Sequence, residues 1–156
     1  MSKSLKRVQQ ALADAGLEID VLEMPSETRT AQQAADAAGC QLDQIAKSII
    51  FHGSETGRVV LFITAGGNKV DLTKAEQVAG EPLGKADAAV IRAQTGFAIG
   101  GVAPVGHLSD VPSFWDPRLS EFDLVFAAAG TPRHIFPISP EELVALSGSF
   151  PADFTA

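Results

Sequence analysis

Apolar residues near the start of the chain repeat first at helical spacing and then at alternate positions. Leu5 and Leu12 belong to an apolar stripe that stops before Gly16, and the stripe predicts an amphipathic helix over residues 4–15. Residues 17–24 then alternate between apolar and polar side chains. This alternation predicts a strand that ends at the following proline.

Residues that favour helix ends divide the rest of the chain. Thr30 and Gln33 fit a capping box, in which each side chain accepts a hydrogen bond from a free backbone N–H group. Aspartate and serine mark other helix starts, and glycine marks most of the ends. The predicted helices follow Thr30, Asp71, Asp87 and Ser139, and they end at Gly39, Gly80, Gly96 and about Ser147, respectively.

Runs of apolar residues predict strands between these helices. The nearly continuous apolar run over 58–64 is typical of a central strand covered on both faces, and residues 48–52 form a hairpin with it. Shorter strands are predicted at 96–99, 111–115, 123–128 and 134–138, with a loosely held tail over 150–156. Because no regular β-α-β repeat is present, the order predicts an α+β fold with a mixed sheet.

Length and composition narrow the class of protein. The chain has 156 residues, of which 46% are hydrophobic, and we expect one domain over residues 1–156. The single cysteine, Cys40, excludes an internal disulfide. With no apolar run of signal-peptide or transmembrane length, we expect a cytoplasmic protein without a membrane partner. His52, His107 and His134 lack zinc-site spacing, so no metal or cofactor is predicted.

The net charge of −7 argues against broad coating of nucleic acid, because phosphate neutralisation needs clustered lysine and arginine. We therefore expect no DNA partner. A local basic patch remains compatible with this charge. The residues that could form it are Lys47, Lys69, Lys74, Lys85, Arg92 and Arg133.

The segment 96–107 contains two adjacent glycines and a proline. Gly100 and Gly101 have no Cβ, so their backbone N–H groups can approach a small polar ligand, and Pro104 restricts the loop. The pattern predicts a loop that holds a carbonyl or phosphate oxygen. An ordinary surface turn is the alternative.

Lys47 stands between an apolar helical turn, marked by Leu42 and Ile45, and the apolar strand that follows. It could anchor a phosphate, carboxyl or carbonyl oxygen, or it could lay its stem along apolar surface. Asp71 is most simply an N-cap. Cys40 lacks the sequence frame of a thiol nucleophile, and no Gly-x-Ser-x-Gly elbow occurs, so covalent catalysis has little support.

Three segments carry a resemblance to a known family. They are Ala46–Phe51, Asn68–Lys74 and Thr95–Gly106. In this order and spacing they resemble the YbaK/prolyl-tRNA synthetase-associated editing-domain family, and the likeness spans roughly residues 4–146. That family is marked by a lysine at a helix-to-strand junction and by a Gly-x-x-x-Pro loop, which Lys47 and Gly100–Pro104 match.

The resemblance implies a mixed, partly barrel-like sheet surrounded by helices. It also implies a free-standing trans-editing deacylase that hydrolyses misacylated aminoacyl-tRNA, most often proline tRNA carrying a small non-cognate amino acid. The lysine would engage the terminal adenosine or its phosphate, and the loop would hold the ester carbonyl. The implied catalytic residues are Lys47, Gly100, Gly101 and Pro104; the substrate-binding residues are Ser48, Ile50, Ile63, Asp71, Ile99, Val102, Ala103 and His107.

This chemistry needs no side-chain nucleophile and no cofactor, because an aminoacyl ester is already activated for attack by water or by the neighbouring ribose hydroxyl. The acidic surface favours transient help from prolyl-tRNA synthetase or an elongation factor. Lys47-Ser48-Ile49 stands where the alanine-specific branch has Lys-Asn-Leu, so alanine specificity is not implied. Two alternatives remain: a non-catalytic module that binds a nucleotide or the acceptor end of tRNA, and an accessory subunit of a synthetase.

Overall fold

A computed structural model of the chain describes residues 2–156. Its helices are α1 (Lys3–Asp14), α2 (Ala31–Ala38), α3 (Leu72–Ala79), α4 (Ala88–Thr95) and α5 (Pro140–Ser147). Its strands are β1 (Leu22–Glu23), β2 (Ile45–Gly53), β3 (Val59–Ala65), β4 (Leu83–Lys85), β5 (Ser113–Trp115), β6 (Val125–Ala128), β7 (His134–Ile138) and β8 (Phe150–Pro151). Short 3₁₀ helices cover Leu42–Gln44 and Pro117–Glu121.

All eight strands form one mixed sheet. Its hydrogen-bonded order is β1-β7-β6-β2-β3-β5-β8, and β4 pairs with β2 beside this path. The pairs β2·β6, β3·β5 and β5·β8 are parallel, whereas the other pairs are antiparallel. The predicted α+β fold, a mixed sheet with surrounding helices, is confirmed, and the sheet is open between β1 and β8.

The two edges of β2 are paired differently. On one side, Ala46–His52 pair residue by residue with β3. On the other side, β6 pairs with Ile45 and Ala46, and β4 pairs only with Phe51–Gly53. Residues 47–50 therefore have no strand partner along that second edge. This interruption in the sheet provides the space for the site described below.

The core lies on both faces of β3, as its continuous apolar run predicts. Every residue of this strand is buried. One face belongs to the large core cluster that also includes Leu5, Val8 and Leu12 of α1, while the other face contributes Phe62 to a smaller cluster with Phe154. Burial of these apolar side chains is the main driving force that fixes β2 and β3 in place.

The predicted helix caps are present. Thr30 and Gln33 form the capping box of α2, with both reciprocal hydrogen bonds in place. Asp71, Asp87 and Ser139 each accept a backbone N–H group at the start of α3, α4 and α5. Glycines in the left-handed conformation end all four of these helices.

The strand predicted over 17–24 is wrong except for its last residues. Only Leu22 and Glu23 pair with another strand, and both are exposed. Ile19 and Val21 nevertheless pack partly buried against the core. Their alternation therefore reflects side-chain burial without strand pairing.

The C-terminal tail was predicted to be loosely held, and this prediction is also wrong. Phe150 and Pro151 pair with β5, and the side chain of Phe154 is fully buried. The N–H group of Asp71 donates to the Phe154 carbonyl over 2.8 Å. Long-range packing of Phe154 thus holds a segment whose own sequence carries little structural signal.

Three smaller predictions need correction. Residues 96–99 form no strand, because Gly96 ends α4 in the left-handed conformation and the chain continues as a loop. β2 begins at Ile45, so Lys47 lies within the strand instead of before it. β4 was not predicted, since three residues carry too short a pattern. Among residues 2–156, no helix has the length and apolar character needed to cross a membrane.

Candidate active site

A cavity of about 640 Å³ opens beside the unpaired stretch of β2. Its floor is β2, and its walls come from the start of α2, from β6 and β7, from the β4–α4 connection and from the loop after α4. The lining residues are Thr28, Arg29, Thr30, Ala31, Ala34, Ile45, Ala46, Lys47, Ser48, Ile49, Ile50, Lys85, Ala86, Ile91, Ile99, Gly100, Val102, Phe126, Ala127, Ala128 and Ile135.

The charges around this cavity differ from those of the chain as a whole. Arg29, Lys47 and Lys85 line it, and none of its lining residues is an aspartate or glutamate. The complete chain, in contrast, carries a net charge of −7. Like charges focused at a concave apolar surface attract ligands of the opposite sign. The cavity is therefore suited to a ligand with an apolar part and an anionic part.

Ser48 contributes an unsatisfied polar group to this lining. Its Oγ is buried and has no hydrogen-bond partner among residues 2–156. A buried hydroxyl without a partner is energetically unfavourable, and in native proteins it commonly meets water or a ligand. Ser48 is therefore a lining residue whose hydroxyl has unused hydrogen-bonding capacity.

The backbone of β2 adds further polar groups at the same place. Gly53 N–H donates to Arg58 on the β3 side over 2.8 Å, and successive residues of a strand direct their backbone groups to alternate edges. The backbone groups of Ser48 and Ile50 consequently face the unpaired edge. The N–H and C=O groups of Ser48, which no neighbouring strand pairs, are available to a ligand as a donor and an acceptor.

Lys47 directs its ammonium group toward the turn that joins β3 to α3, Ala65–Asn68, hereafter the 65–68 turn. Its Nζ donates to the carbonyl oxygens of Gly66, over 3.2 Å, and Asn68, over 2.7 Å. Partial burial lowers the pKa of Lys47, while the negative charges of Asp116 and Asp43 act in the opposite direction. The ammonium is thus held beside the cavity by backbone acceptors.

The loop after α4, Gly96–His107, is hereafter the glycine loop. Gly100 has a φ of +93°, and a Cβ there would lie 2.7 Å from Nη1 of Arg29. A Cβ on Gly101 would lie 2.7 Å from the backbone carbonyl carbon of Thr131. Both positions therefore favour glycine, Gly100 for its conformation and Gly101 for the close backbone approach.

Two arginines hold the carbonyl groups of the glycine loop. Arg7 of α1 donates from Nη2 to Gly96 over 2.6 Å and from Nε to Gly106 over 3.4 Å, so it ties the two ends together. Arg29 donates to the carbonyl of Ile99 over 3.3 Å. In contrast, the N–H group of Gly100 has no hydrogen-bond partner among residues 2–156. The loop can therefore offer a backbone donor to a ligand oxygen.

His107 supports the glycine loop from behind. Its Nε2 donates to the carbonyl of Ala103 over 2.7 Å, and its ring meets Phe97 edge to face. Burial lowers the pKa of His107, with a further contribution from the charge of Arg7. The imidazole is therefore expected to be neutral at pH 7.

The cavity brings together half of the site residues predicted from the sequence. Lys47, Ser48, Ile50, Ile99, Gly100 and Val102 line it. Gly101, Ala103 and Pro104 belong to the buried part of the glycine loop and do not line the cavity. Ile63 is fully buried in the core, Asp71 caps α3, and His107 holds Ala103. The functional roles of all these residues remain predictions.

Several lining residues were not predicted. No role was predicted for Arg29, and Lys85 was named only as a possible member of a local basic patch. Phe126 and Ile135 belong to the strands predicted at 123–128 and 134–138. Arg29 precedes a capping box, and nothing in its sequence context indicates the distant glycine loop. Among the residues that the structure describes, no cluster of three histidine, cysteine, aspartate or glutamate side chains could bind a metal.

The chain is similar to several known proteins. The chain is 36% identical to the uncharacterized protein YwhH of Bacillus subtilis over 94% of its own length and 92% of YwhH. It is 26% identical to EbsC of Enterococcus faecalis, whose name describes a candidate Cys-tRNA(Pro)/Cys-tRNA(Cys) deacylase, over 81% of this chain and 77% of EbsC.

A crystal structure described as a candidate trans-editing enzyme for prolyl-tRNA synthetase superposes with a TM-score of 0.92 at 45% identity. The match covers 100% of this chain and 99% of that one. The sequence model of the aminoacyl-tRNA editing domain matches residues 25–146. The chain therefore belongs to the aminoacyl-tRNA editing domain family.

Proposed function

We propose that this protein is a trans-editing deacylase that hydrolyses misacylated aminoacyl-tRNA, with proline tRNA carrying a small non-cognate amino acid as its substrate. The observation that carries the proposal is the cavity beside β2, which combines apolar walls with three cationic side chains and no carboxylate. The aminoacyl end of a tRNA has the matching composition: an amino-acid side chain, an ester and a nearby phosphate.

The cationic side chains bind the nucleotide part in this proposal. Lys47, Arg29 and Lys85 lie at the same cavity, where they can contact the phosphate and ribose oxygens of the terminal adenosine. The amino-acid side chain then lies against the apolar lining, including Ile50 and Ile99. Its size limits which esters fit, and one methylene in such a pocket changes acceptance by about 1–3 kcal/mol.

Hydrolysis then proceeds without a covalent enzyme intermediate. A water oxygen attacks the ester carbonyl carbon, and the negative charge that develops on the carbonyl oxygen is stabilised by the free N–H group of Gly100. The bond from this carbon to the ribose oxygen breaks, and the ribose oxygen takes up the proton from the attacking water. The products are the free amino acid and a tRNA with its terminal hydroxyl restored.

Single-turnover hydrolysis of a panel of charged tRNAs tests this proposal. The panel comprises proline tRNA carrying alanine, cysteine, 2-aminobutyrate, serine, threonine or proline, assayed with wild type and Lys47→Ala. We expect rapid loss of one small non-proline ester and a decrease of at least about 100-fold in that rate for Lys47→Ala, the usual effect of losing one charge-stabilising group. Lys6→Ala removes an exposed lysine on α1 and serves as the control.

The same assay separates the deacylase from a binding module. If every ester decays at its uncatalysed rate while the tRNA still binds, the protein is a module for the acceptor end and the deacylase proposal is wrong. Repeating the assay with added prolyl-tRNA synthetase or elongation factor tests whether a transient partner raises the rate. If neither the synthetase nor the elongation factor changes the deacylation rate, the proposed association with these partners is wrong.

A further inference from the structure

Two carboxylates fix the backbone of the 65–68 turn. Oδ2 of Asp116 accepts the N–H group of Ala65 over 3.0 Å and the side-chain amide of Asn68 over 2.9 Å. Oδ1 of Asp43 accepts the N–H group of Gly67 over 2.8 Å. Two backbone N–H groups of the turn, those of Ala65 and Gly67, are therefore bonded to these carboxylates, while the backbone N–H group of Asn68 donates to the Ala65 carbonyl within the turn.

A single arginine connects the two carboxylates. Nε of Arg118 donates to Oδ2 of Asp43 over 3.0 Å, and the backbone N–H group of Arg118 donates to Oδ1 of Asp116, also over 3.0 Å. Both oxygens of each carboxylate thus have partners. A network in which every member is satisfied holds one geometry more firmly than isolated pairs do.

Asp116 is the most buried member of this network, with 3% of its surface exposed. Keeping a carboxylate charged at such a position is costly unless hydrogen bonds and a nearby positive charge offset the loss of water. The backbone donors supply the hydrogen bonds, and the ammonium of Lys47 is close enough to interact with the charge of Asp116. The carboxylate and the ammonium both bind the same four-residue turn, the carboxylate through N–H groups and the ammonium through carbonyl oxygens.

We propose that Asp116 is a positioning residue of the cavity: by fixing the 65–68 turn, it orients the carbonyl groups of Gly66 and Asn68 that hold the Lys47 ammonium. The inference rests on the proposed function, because that function assigns Lys47 to the substrate. An ammonium has three protons, and the two carbonyls accept two of them. The third proton is directed by this arrangement and is available to an oxygen of the substrate.

A double-mutant cycle tests whether Asp116 acts through Lys47. Asp116→Asn keeps the shape of the side chain, and we expect it to lower kcat/KM for deacylation by about 10- to 100-fold, as small misplacements of a binding group do. In the Lys47→Ala background the same substitution should lower kcat/KM by less than about twofold, because residues that act through one another are not additive. Asp110→Asn, which changes a fully exposed side chain, is the matched control.

An equal loss of kcat/KM in both backgrounds would overturn the proposal, because it would mean that Asp116 acts on the fold in general. Urea unfolding of each variant accompanies the kinetics. If Asp116→Asn does not fold, Asp43→Asn takes its place in the cycle, since Asp43 holds the same turn from a partly exposed position. Additive losses for Asp43→Asn would then count against the proposal.

A titration of Lys47 by NMR gives a readout that does not depend on activity. The charged groups acting on Lys47 are Asp116 and Asp43, which raise its pKa, and Lys69, which lowers it. Removing the negative charge of Asp116 should therefore lower the pKa of Lys47. An unchanged pKa of Lys47 in Asp116→Asn would overturn the inference about Asp116. If wild type hydrolyses none of the esters, that result rejects the proposed deacylase, and the titration still tests Asp116.

Discussion

The glycine loop lines the cavity directly and the 65–68 turn acts on it through Lys47, and opposite charges hold these two segments. Carboxylates of Asp116 and Asp43 accept the N–H groups of Ala65 and Gly67, and the turn presents the carbonyl oxygens of Gly66 and Asn68 to Lys47. Arg7 and Arg29 donate to carbonyl oxygens of the glycine loop, and the N–H group of Gly100 has no partner within residues 2–156.

Under the proposed function, this difference gives the ester substrate a cationic side chain on one side and a backbone N–H donor on the other. The 65–68 turn is held through N–H groups, so its carbonyl oxygens can bind the ammonium of Lys47. In the proposed function, this ammonium also meets anionic oxygens of the substrate. A segment held through its carbonyls offers N–H groups to the oxygen on which negative charge develops. The residues that hold each segment therefore decide its chemistry, although most of them lie outside the cavity.

The most disruptive change to the turn is expected from Gly66→Ala. A Cβ on Gly66 would collide with the backbone carbonyl of Leu42, so the turn must shift and move the acceptor that holds Lys47. We expect kcat/KM to fall by about 100-fold and the free energy of unfolding to fall by about 1–3 kcal/mol. Deacylation kinetics and urea unfolding measure the two effects. Gly84→Ala is the control, since its Cβ would meet no atom within 4 Å.

A smaller effect is expected when the glycine loop loses its clamp in Arg7→Lys. A lysine keeps the charge but has no planar fork with which to bond Gly96 and Gly106 together. We expect a loss of about tenfold in kcat/KM and about 1–2 kcal/mol in the free energy of unfolding. Arg92→Lys, at an exposed position of α4, provides the comparison. Unchanged kinetics in Arg7→Lys would mean that the loop keeps its geometry without α1.

The smallest expected effect is on the pH dependence of the free energy of unfolding, and it comes from His107 behind the glycine loop. The pKa of His107, behind the glycine loop, is lowered from its ordinary value of 6.5. The unfolded chain therefore binds a proton before the folded chain does, so stability is complete above pH 6.5 and decreases as the pH falls toward the lowered pKa.

Urea unfolding at several pH values measures this contribution. One proton limits the slope from His107 to about 1.4 kcal/mol per pH unit. His107→Gln should show a flatter pH dependence than wild type between pH 7 and the acid range. If the two proteins keep the same slope, His107 is not the group responsible.

Local signals in the sequence predicted the framework well. Thr30, Asp71, Asp87 and Ser139 cap helices because a short polar side chain satisfies N–H groups only a few residues away. The buried strand β3 was evident from its unbroken apolar run. Docking of the tail was missed because Phe154 is held by contacts with residues far away in the sequence, such as Phe62.

The sequence also predicted roles for Lys47 and the glycine loop, which stay predictions, but it could not assign the surroundings of either. Ser48 and Ile50 face the cavity because strand pairing on one edge of β2 is interrupted, and that interruption depends on where β4 and β6 end. Arg29 and Lys85 join them from different elements. The spacing of these residues along the chain does not indicate that they line one cavity.

By itself, the sequence determined the α+β class, the helix ends, the central strand and the family, because each depends on local chemistry or on a motif in order. The tertiary structure decided which backbone groups remain free. Asp43, Asp116, Arg7 and Arg29 reach their partners across 24 to 99 residues of sequence. Hydrogen bonds over such separations form only when the sheet has assembled, and they determine which segment of the cavity offers carbonyls and which offers N–H groups.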